Sequence, residues 1–332
     1  MKRKQSGLRI MSRLIVLVKP LSGFMCLAVL LGVLGFLCAI QITVAGSLTL
    51  LTAAKISGGI AIKTGCICII IFAVLRGFLH YGEQACNHYI AFKLLALIRD
   101  KVFKAMRRLS PAKLEGKDKG NLVSVITSDI ELLEVFYAHT ISPTCIAILT
   151  CIIMLIFIGR YSIWLSLVAL AAYITVGAVI PLVSSKVNKN VGMTYRDSSG
   201  ALSGFVLDSM RGLLESIRYN STDKRLEEMD KKTDELNSLQ DRLKKIEGHT
   251  GAVTDIAIIF FSVAMLLTGI ALYQKGVIGF DGMIVSTVSM MSSFGPVAAL
   301  SGLAGNLTHT LAAGERVLGI LDETPVVEEN TY

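Results

Sequence analysis

Six polar side chains recur within one short stretch of an otherwise apolar segment: Arg76, His80, Glu83, Gln84, Asn87 and His88. Their steps of three and four place them along one helix face. Ionisable groups at or near membrane depth are costly unless they meet a cavity, water or partners, so the stripe is a candidate surface for a substrate or cofactor. A plainer reading has the same composition: a solvated row of snorkelling side chains where a helix leaves the bilayer. Elsewhere the chain offers no metal-spaced Cys/His cluster, no nucleophile–base set and no aromatic-rich basic patch for nucleic acid. The seven cysteines are odd in number and mostly sit inside apolar stretches, which reads as small apolar residues rather than a disulfide framework. Cys66 and Cys68 point to nearly opposite helix faces. His139, His249 and His309 fall near the ends of apolar runs and suit interface or packing roles.

Side chains of this kind need a scaffold, and the composition says where it lies. The 332 residues are 53% hydrophobic and 17% charged, with a mean hydropathy of +0.62, too little polar surface for a soluble domain and too apolar for a disordered one. Apolar runs at about 21–45, 57–82, 132–158, 161–183, 251–273 and 282–310 each approach or exceed the ~20 residues that cross a bilayer. The fold class expected is an all-α membrane protein with six transmembrane helices. Residues 8–18 have helical apolar spacing interrupted by Arg9 and Arg13, as in a helix lying on the membrane surface. The run from Leu21 to Ala45 is too long for the core of a cleaved signal peptide.

The formal charge of +8 is concentrated at one end: nine Lys and Arg precede the first carboxylate, Glu83. That placement reads as membrane orientation rather than nucleic-acid binding. The odd-numbered connections between spans are short, whereas 83–130 and 184–250 are long and rich in Lys and Arg. This bias puts both long connections and both termini in the cytoplasm, in a multi-pass protein of the plasma (inner) membrane. Tyr81–Leu109 lacks Pro, Lys224–Glu247 lacks Pro and Gly, and Glu227/Lys231, Glu228/Lys232 and Asp241/Lys245 stand at i, i+4. The spans therefore continue as helices, about 28 residues projecting roughly 40 Å. Breaks at Ser110-Pro111 and around Asn220-Ser221-Thr222-Asp223 leave two hairpins, each with a short tip far below the membrane. In the sixth span, Gly295-Pro296 could hinge or pack a helix, with packing favoured, as it is for Gly32 and Gly35 in the first.

Three segments carry a likeness to a known family: Leu97-Ile98-Arg99-Asp100-Lys101-Val102-Phe103 followed by Leu109-Ser110-Pro111-Ala112-Lys113-Leu114; Gly120-Asn121-Leu122 through Ser128-Asp129-Ile130; and Gly314-Glu315-Arg316-Val317-Leu318-Gly319-Ile320-Leu321-Asp322 before Pro325. The pattern resembles the transmembrane domain of an ABC exporter with six spans per half. Tyr81-x-Glu83-x4-His88, Tyr137 and Ile141-Ser142-Pro143 make it similar to the CydC-type subunit of the CydDC heterodimer, which serves cytochrome bd assembly.

The resemblance implies an interfacial element over 1–19, a six-helix domain over 20–311 and a linker over 312–332 leading to a nucleotide-binding domain. It implies that Ser110, Pro111, Ala112, Lys113 and Leu114 on one tip, and Asn220, Ser221, Thr222, Asp223 and Lys224 on the other, dock on ATPase domains. It places His88 where this subgroup carries a histidine implicated in haem binding; imidazole is a common axial haem ligand. Haem or small thiols such as cysteine and glutathione are the implied cargo, and a CydD-like second half the implied partner. A hydrophobic-compound or lipid exporter half, or an ATPase-less regulatory or assembly subunit, are the other readings. The 332 residues contain no Gly-x4-Gly-Lys-Ser/Thr loop to cradle ATP phosphates, and Gly116-Lys117-Asp118-Lys119-Gly120 has the wrong spacing. ATP hydrolysis is therefore expected only through a nucleotide-binding domain on a separate chain, or one lost by truncation.

Overall fold

In lipid the backbone must satisfy its own hydrogen bonds, and among the described residues every regular element is helical. The computed structural model describes residues 7–56, 60–110, 125–301 and 303–325. α1 (Gly7–Leu17) leads through one tight turn, Lys19–Leu21, into α2 (Ser22–Ala53) and α3 (Ile62–Leu109). There follow α4 (Ile130–Phe136), α5 (Ser142–Gly159), α6 (Ile163–Ile174), α7 (Ile180–Arg211), α8 (Leu213–Arg218), α9 (Thr222–Gln274), α10 (Phe280–Ser301) and α11 (Leu303–Leu321). Among the described residues six stretches are long and apolar enough to cross a membrane: Lys19–Ala53, Ile62–Leu109, Val125–Gly159, Ile163–Lys186, Thr222–Gln274 and Phe280–Leu300. These are the six spans that the sequence led us to expect.

Two of the spans run through π-helical turns that prolines explain. Pro143 and Pro181 are the second residues of α5 and α7, and the turns Tyr137–Ile141 and Thr175–Val179 directly precede them. Proline has no N–H to donate four residues back, so the carbonyls ahead of it must find donors by a wider turn. A third π turn, Val125–Asp129, opens the third span. Ser110, with extended backbone, ends α3 because the residue before a proline is disfavoured in the helical region.

α3 and α9, with 48 and 53 residues, are about 72 and 80 Å long, well beyond a ~30 Å hydrocarbon core. α9 packs antiparallel on α7, and Ser184 Oγ and Thr250 Oγ1 share a 2.8 Å hydrogen bond between them. Nearer the tip, the Arg225 guanidinium stands 5.2 Å and the Lys232 ammonium 5.4 Å from the Phe205 ring centre. Two cations against one aromatic ring tie α9 to α7 at this point of the hairpin.

Packing falls into two cores. One gathers Ile40, Met154, Ile158, Leu165, Tyr173, Met265 and Phe294 from the membrane helices around the Gly159–Ile163 turn. The other gathers Leu14, Ile90, Leu94, Ile98, Leu133, Phe136 and Val317, so that α1 is wedged between the start of α2, α3, α4 and α11. Ile10, Leu14 and Val18 bury at a four-residue spacing, while Ile15 and Val16 remain exposed. Gly314 lets α11 come this close: a Cβ there would lie 2.9 Å from Leu14 and 3.6 Å from Leu133. Residues 312–321, expected as the start of a linker, are thus helical and packed, with Ala313, Val317 and Leu318 buried, because the apolar spacing of the sixth span continues to Leu321.

Candidate functional site

The polar stripe on α3 is positioned by small residues on α2. The antiparallel register is set by the rings of Phe24 and Tyr89, 4.7 Å apart, by Gly32 against Glu83, by Gly35 against Leu79 and by Thr49 against Gly65. A Cβ on Gly32 would stand 3.3 Å from the Glu83 carboxyl carbon and collide with the Ile146 side chain of α5. Only a glycine leaves room for a carboxylate at that point.

Glu83 is 6% exposed and Asn87 4%. Asn87 Nδ2 donates to Glu83 Oε1 at 3.4 Å, and His80 Nδ1 lies 3.1 Å from Glu83 Oε2, donating when that nitrogen carries the proton. Asn87 Oδ1 is buried and has no partner among the described residues. Arg76 and His80 are exposed, Gln84 is half-buried, and His88 is exposed with its ring stacked on Phe92 at 6.1 Å.

The single face expected from spacing is therefore divided. At about 100° per residue, Glu83 and Asn87 turn inward to α2 and α5, while His88 points well to one side of them. The depth also differs from the expected end of an apolar run. Glu83 opposes Gly32, ten residues into α2, or about 15 Å along its axis and near the middle of the apolar stretch Leu21–Ala45. On either side of it along α3, Ile70, Val74, Phe78 and Tyr81 before it and Tyr89 and Phe92 after it are exposed.

At the far end of the α7–α9 hairpin, Asn220 has a left-handed backbone (φ 51°). Asn tolerates this conformation, and it closes α8 with Ser221 N–H donating to the Ser216 carbonyl at 2.9 Å. Ser221 is the residue before α9, whose first turn is Thr222, Asp223 and Lys224. Sequence reasoning placed the tip on these five residues and missed the short helix before them. α8 and its flanks expose Met210, Leu214, Ile217 and Tyr219, the last at 80%. The apolar cluster between Arg211 and Arg218 is too short to carry a helical period of its own. On the other hairpin Ser110 is described, but Pro111, Ala112, Lys113 and Leu114 lie outside the described residues.

On α10, Pro296 is buried within the helix and a Cβ on its neighbour Gly295 would stand 3.3 Å from the Phe36 ring. Close by, Thr43 and Ser292 hydroxyls pair at 2.6 Å and Tyr173 and Ser293 at 2.5 Å, tying α10 to α2 and to α6.

Comparison with known proteins agrees with this architecture. Residues 21–297 match the family described as the ABC transporter transmembrane region. A probable ABC transporter ATP-binding/permease protein of Haemophilus influenzae is 42% identical over 98% of this chain and 59% of its own length. The glutathione/L-cysteine transport system ATP-binding/permease protein CydC of the same species is 23% identical over 78% of this chain and 45% of its own. An ATP-dependent lipid A-core flippase of Haemophilus influenzae is 21% identical over 78% and 44%. The chain thus spans about half of the curated relatives it matches. Six apolar helices, two long helical hairpins and this match together make the chain a multi-pass membrane protein belonging to the ABC transporter transmembrane-region family.

Proposed function

We propose that this chain is the permease half of an ATP-driven exporter, in which a second half closes a pathway against α3. The supporting observation is the exposed pair Arg76 and His80. Both sit beside the middle of the apolar run of α2, where a charge facing lipid is costly and one facing a water-filled path is not. The proposed location is the inner membrane, with the long hairpins and both termini on its cytoplasmic side, a reading supported by the Lys/Arg bias of the hairpins. ATPase domains, which the relatives' names as ATP-binding/permease proteins support, would bear on the apolar tip helix α8 with Asn220–Lys224 and on the Ser110–Leu114 segment. Nucleotide-driven closure would then move the hairpins as rigid levers.

The cargo is proposed to be haem or a small thiol, carried with a CydD-like partner half. Arg76 suits the propionates of haem and the carboxylates of glutathione or cysteine. The His88 imidazole is exposed and forms no hydrogen bond among the described residues, which fits a ring free to ligate a haem iron. A lipid-type exporter half is the second reading, supported by the flippase relative at similar identity and by the broad apolar surface of α3.

Single cysteines at positions 76 and 80, in a cysteine-free background, test the pathway with a water-soluble maleimide. Labelling that changes with nucleotide state supports it; absence of labelling in every state overturns it. Stimulation of ATPase by haem, glutathione or lipid separates the cargoes, and a Soret spectrum unchanged by His88→Ala removes that ligand.

A further inference from the structure

We infer that the junction of α1 and α2 holds one anionic phospholipid, its acyl chain in an apolar groove and its phosphate on Lys19. The groove has a volume of about 350 Å³, within the range of ligand sites, and is walled by Ile15, Val18, Met25, Cys26 and Ile141. These residues come from α1, from the first turns of α2 and from the π turn ahead of Pro143. They form a concave corner because Ile10, Leu14 and Val18 pull α1 onto α4 and α11 and leave Ile15 and Val16 uncovered.

Among the described residues, the basic residue on the groove's wall is Lys19, and Ser22 also lines it. Lys19 is exposed and forms no ion pair among the described residues. Arg13, the other cation of this corner, is committed to Asp322 at 2.5 and 2.6 Å and so is not competing for the same anion. One residue before Val18, Leu17 borders a second recess of about 560 Å³ with Lys101, Lys104, Arg107 and Arg108. Lys104 is paired with Asp100; the others add to a positive field on this side of the corner.

The occupant follows from these features together. An apolar slot opening from a helix of membrane-surface character takes an acyl chain rather than a water-soluble ligand. A basic side chain on its wall, in a segment without a carboxylate before Glu83, selects a negative headgroup over a zwitterionic one. Arg9 and Lys19 flank the apolar face of α1 with exposed or near-terminal positive charge, as a helix at the headgroup layer requires. The bound lipid would then be part of the wedge that holds α1 against α11.

Photoactivatable lipids test the site. The protein is reconstituted in nanodiscs containing phosphatidylglycerol or phosphatidylcholine with a photoreactive group on one acyl chain, and the labelled peptides are read by mass spectrometry. Phosphatidylglycerol is expected to label Met25, Cys26 or Ile141 at least fivefold more than phosphatidylcholine. Lys19→Glu should abolish that preference and Lys19→Arg should keep it. Cys26→Trp, which fills the slot from an exposed position, should reduce labelling by both lipids. Equal labelling by both lipids, or a preference that survives Lys19→Glu, overturns the proposal. Absence of labelling, the result if a second protein chain fills the groove, overturns it as well.

Discussion

Arg316, on the last helix, donates from Nη2 to Oδ1 of Asp129, a carboxylate only 2% exposed at the head of the third span. The pair joins α11 to the π turn that precedes α4, 187 residues away in sequence. Asp129 Oδ2 is buried without a partner, so the guanidinium is its principal compensation among the described residues. Removing the cation is therefore expected to be worse than removing the anion. Arg316→Met should lower stability by about 1–3 kcal/mol, while Asp129→Asn, which needs no counter-ion, should cost less. Thermal unfolding of both variants in detergent checks the order.

A second ion pair secures the same end of α11. Arg13 meets Asp322 through both guanidinium nitrogens, and the hydrogen bond to that carboxylate holds the Arg13 guanidinium above its ordinary pKa, with burial opposing. Both side chains are about one-third exposed, at 34% and 38%, so water and salt screen them. A double-mutant cycle on Arg13→Ala and Asp322→Ala should give a coupling of about 0.2–1 kcal/mol, falling as salt is raised. A coupling that ignores salt would contradict this account.

Gly32 sets the spacing of three helices. Gly32→Ala should force Ile146 to shift and crowd the Glu83 carboxylate, lowering stability by about 1–3 kcal/mol. Ile146→Ala in the same chain should recover part of that loss, since it vacates the space the new methyl needs. Melting temperatures of the single and double variants report the rescue.

The buried hydroxyl of Tyr137 donates to the Leu14 carbonyl at 2.8 Å, joining the third span to α1. Tyr137→Phe leaves that carbonyl without its donor at a cost of about 1–3 kcal/mol. The loss should appear locally, as faster proteolysis of the segment around α1 under native conditions.

Asn220 closes α8 with a left-handed backbone. Asn220→Gly should be neutral or slightly stabilising, whereas Asn220→Val should cost roughly 1–2 kcal/mol because a β-branched side chain resists that conformation. Chemical denaturation of the two variants distinguishes them.

Much of this was legible from the residues themselves. Apolar runs of twenty or more, separated by Gly159-Arg160 and similar turns, announce membrane helices because lipid leaves the backbone no other partner. The long polar continuations of α3 and α9 were equally readable, since their i, i+4 charge pairs have a local helical period. α8 was not. Its six residues are too few to carry a period, and its exposed Leu214 and Ile217 read as part of a continuing amphipathic helix.

The polar stripe marks the boundary most clearly. Residue types and steps of three and four put Arg76, His80, Glu83, Asn87 and His88 on one helix, because that spacing is a local property of the backbone. Which of them is buried, and at what depth, depends on what α2 places opposite. Gly32 admits Glu83, and with that face turned to α2 the helical period leaves His88 outside the contact. The ion pairs Arg316–Asp129 and Arg13–Asp322, like the groove beside Lys19, join segments distant along the chain. The residues themselves mark six runs long and apolar enough to cross a membrane; only the packing of those helices decided which charges meet.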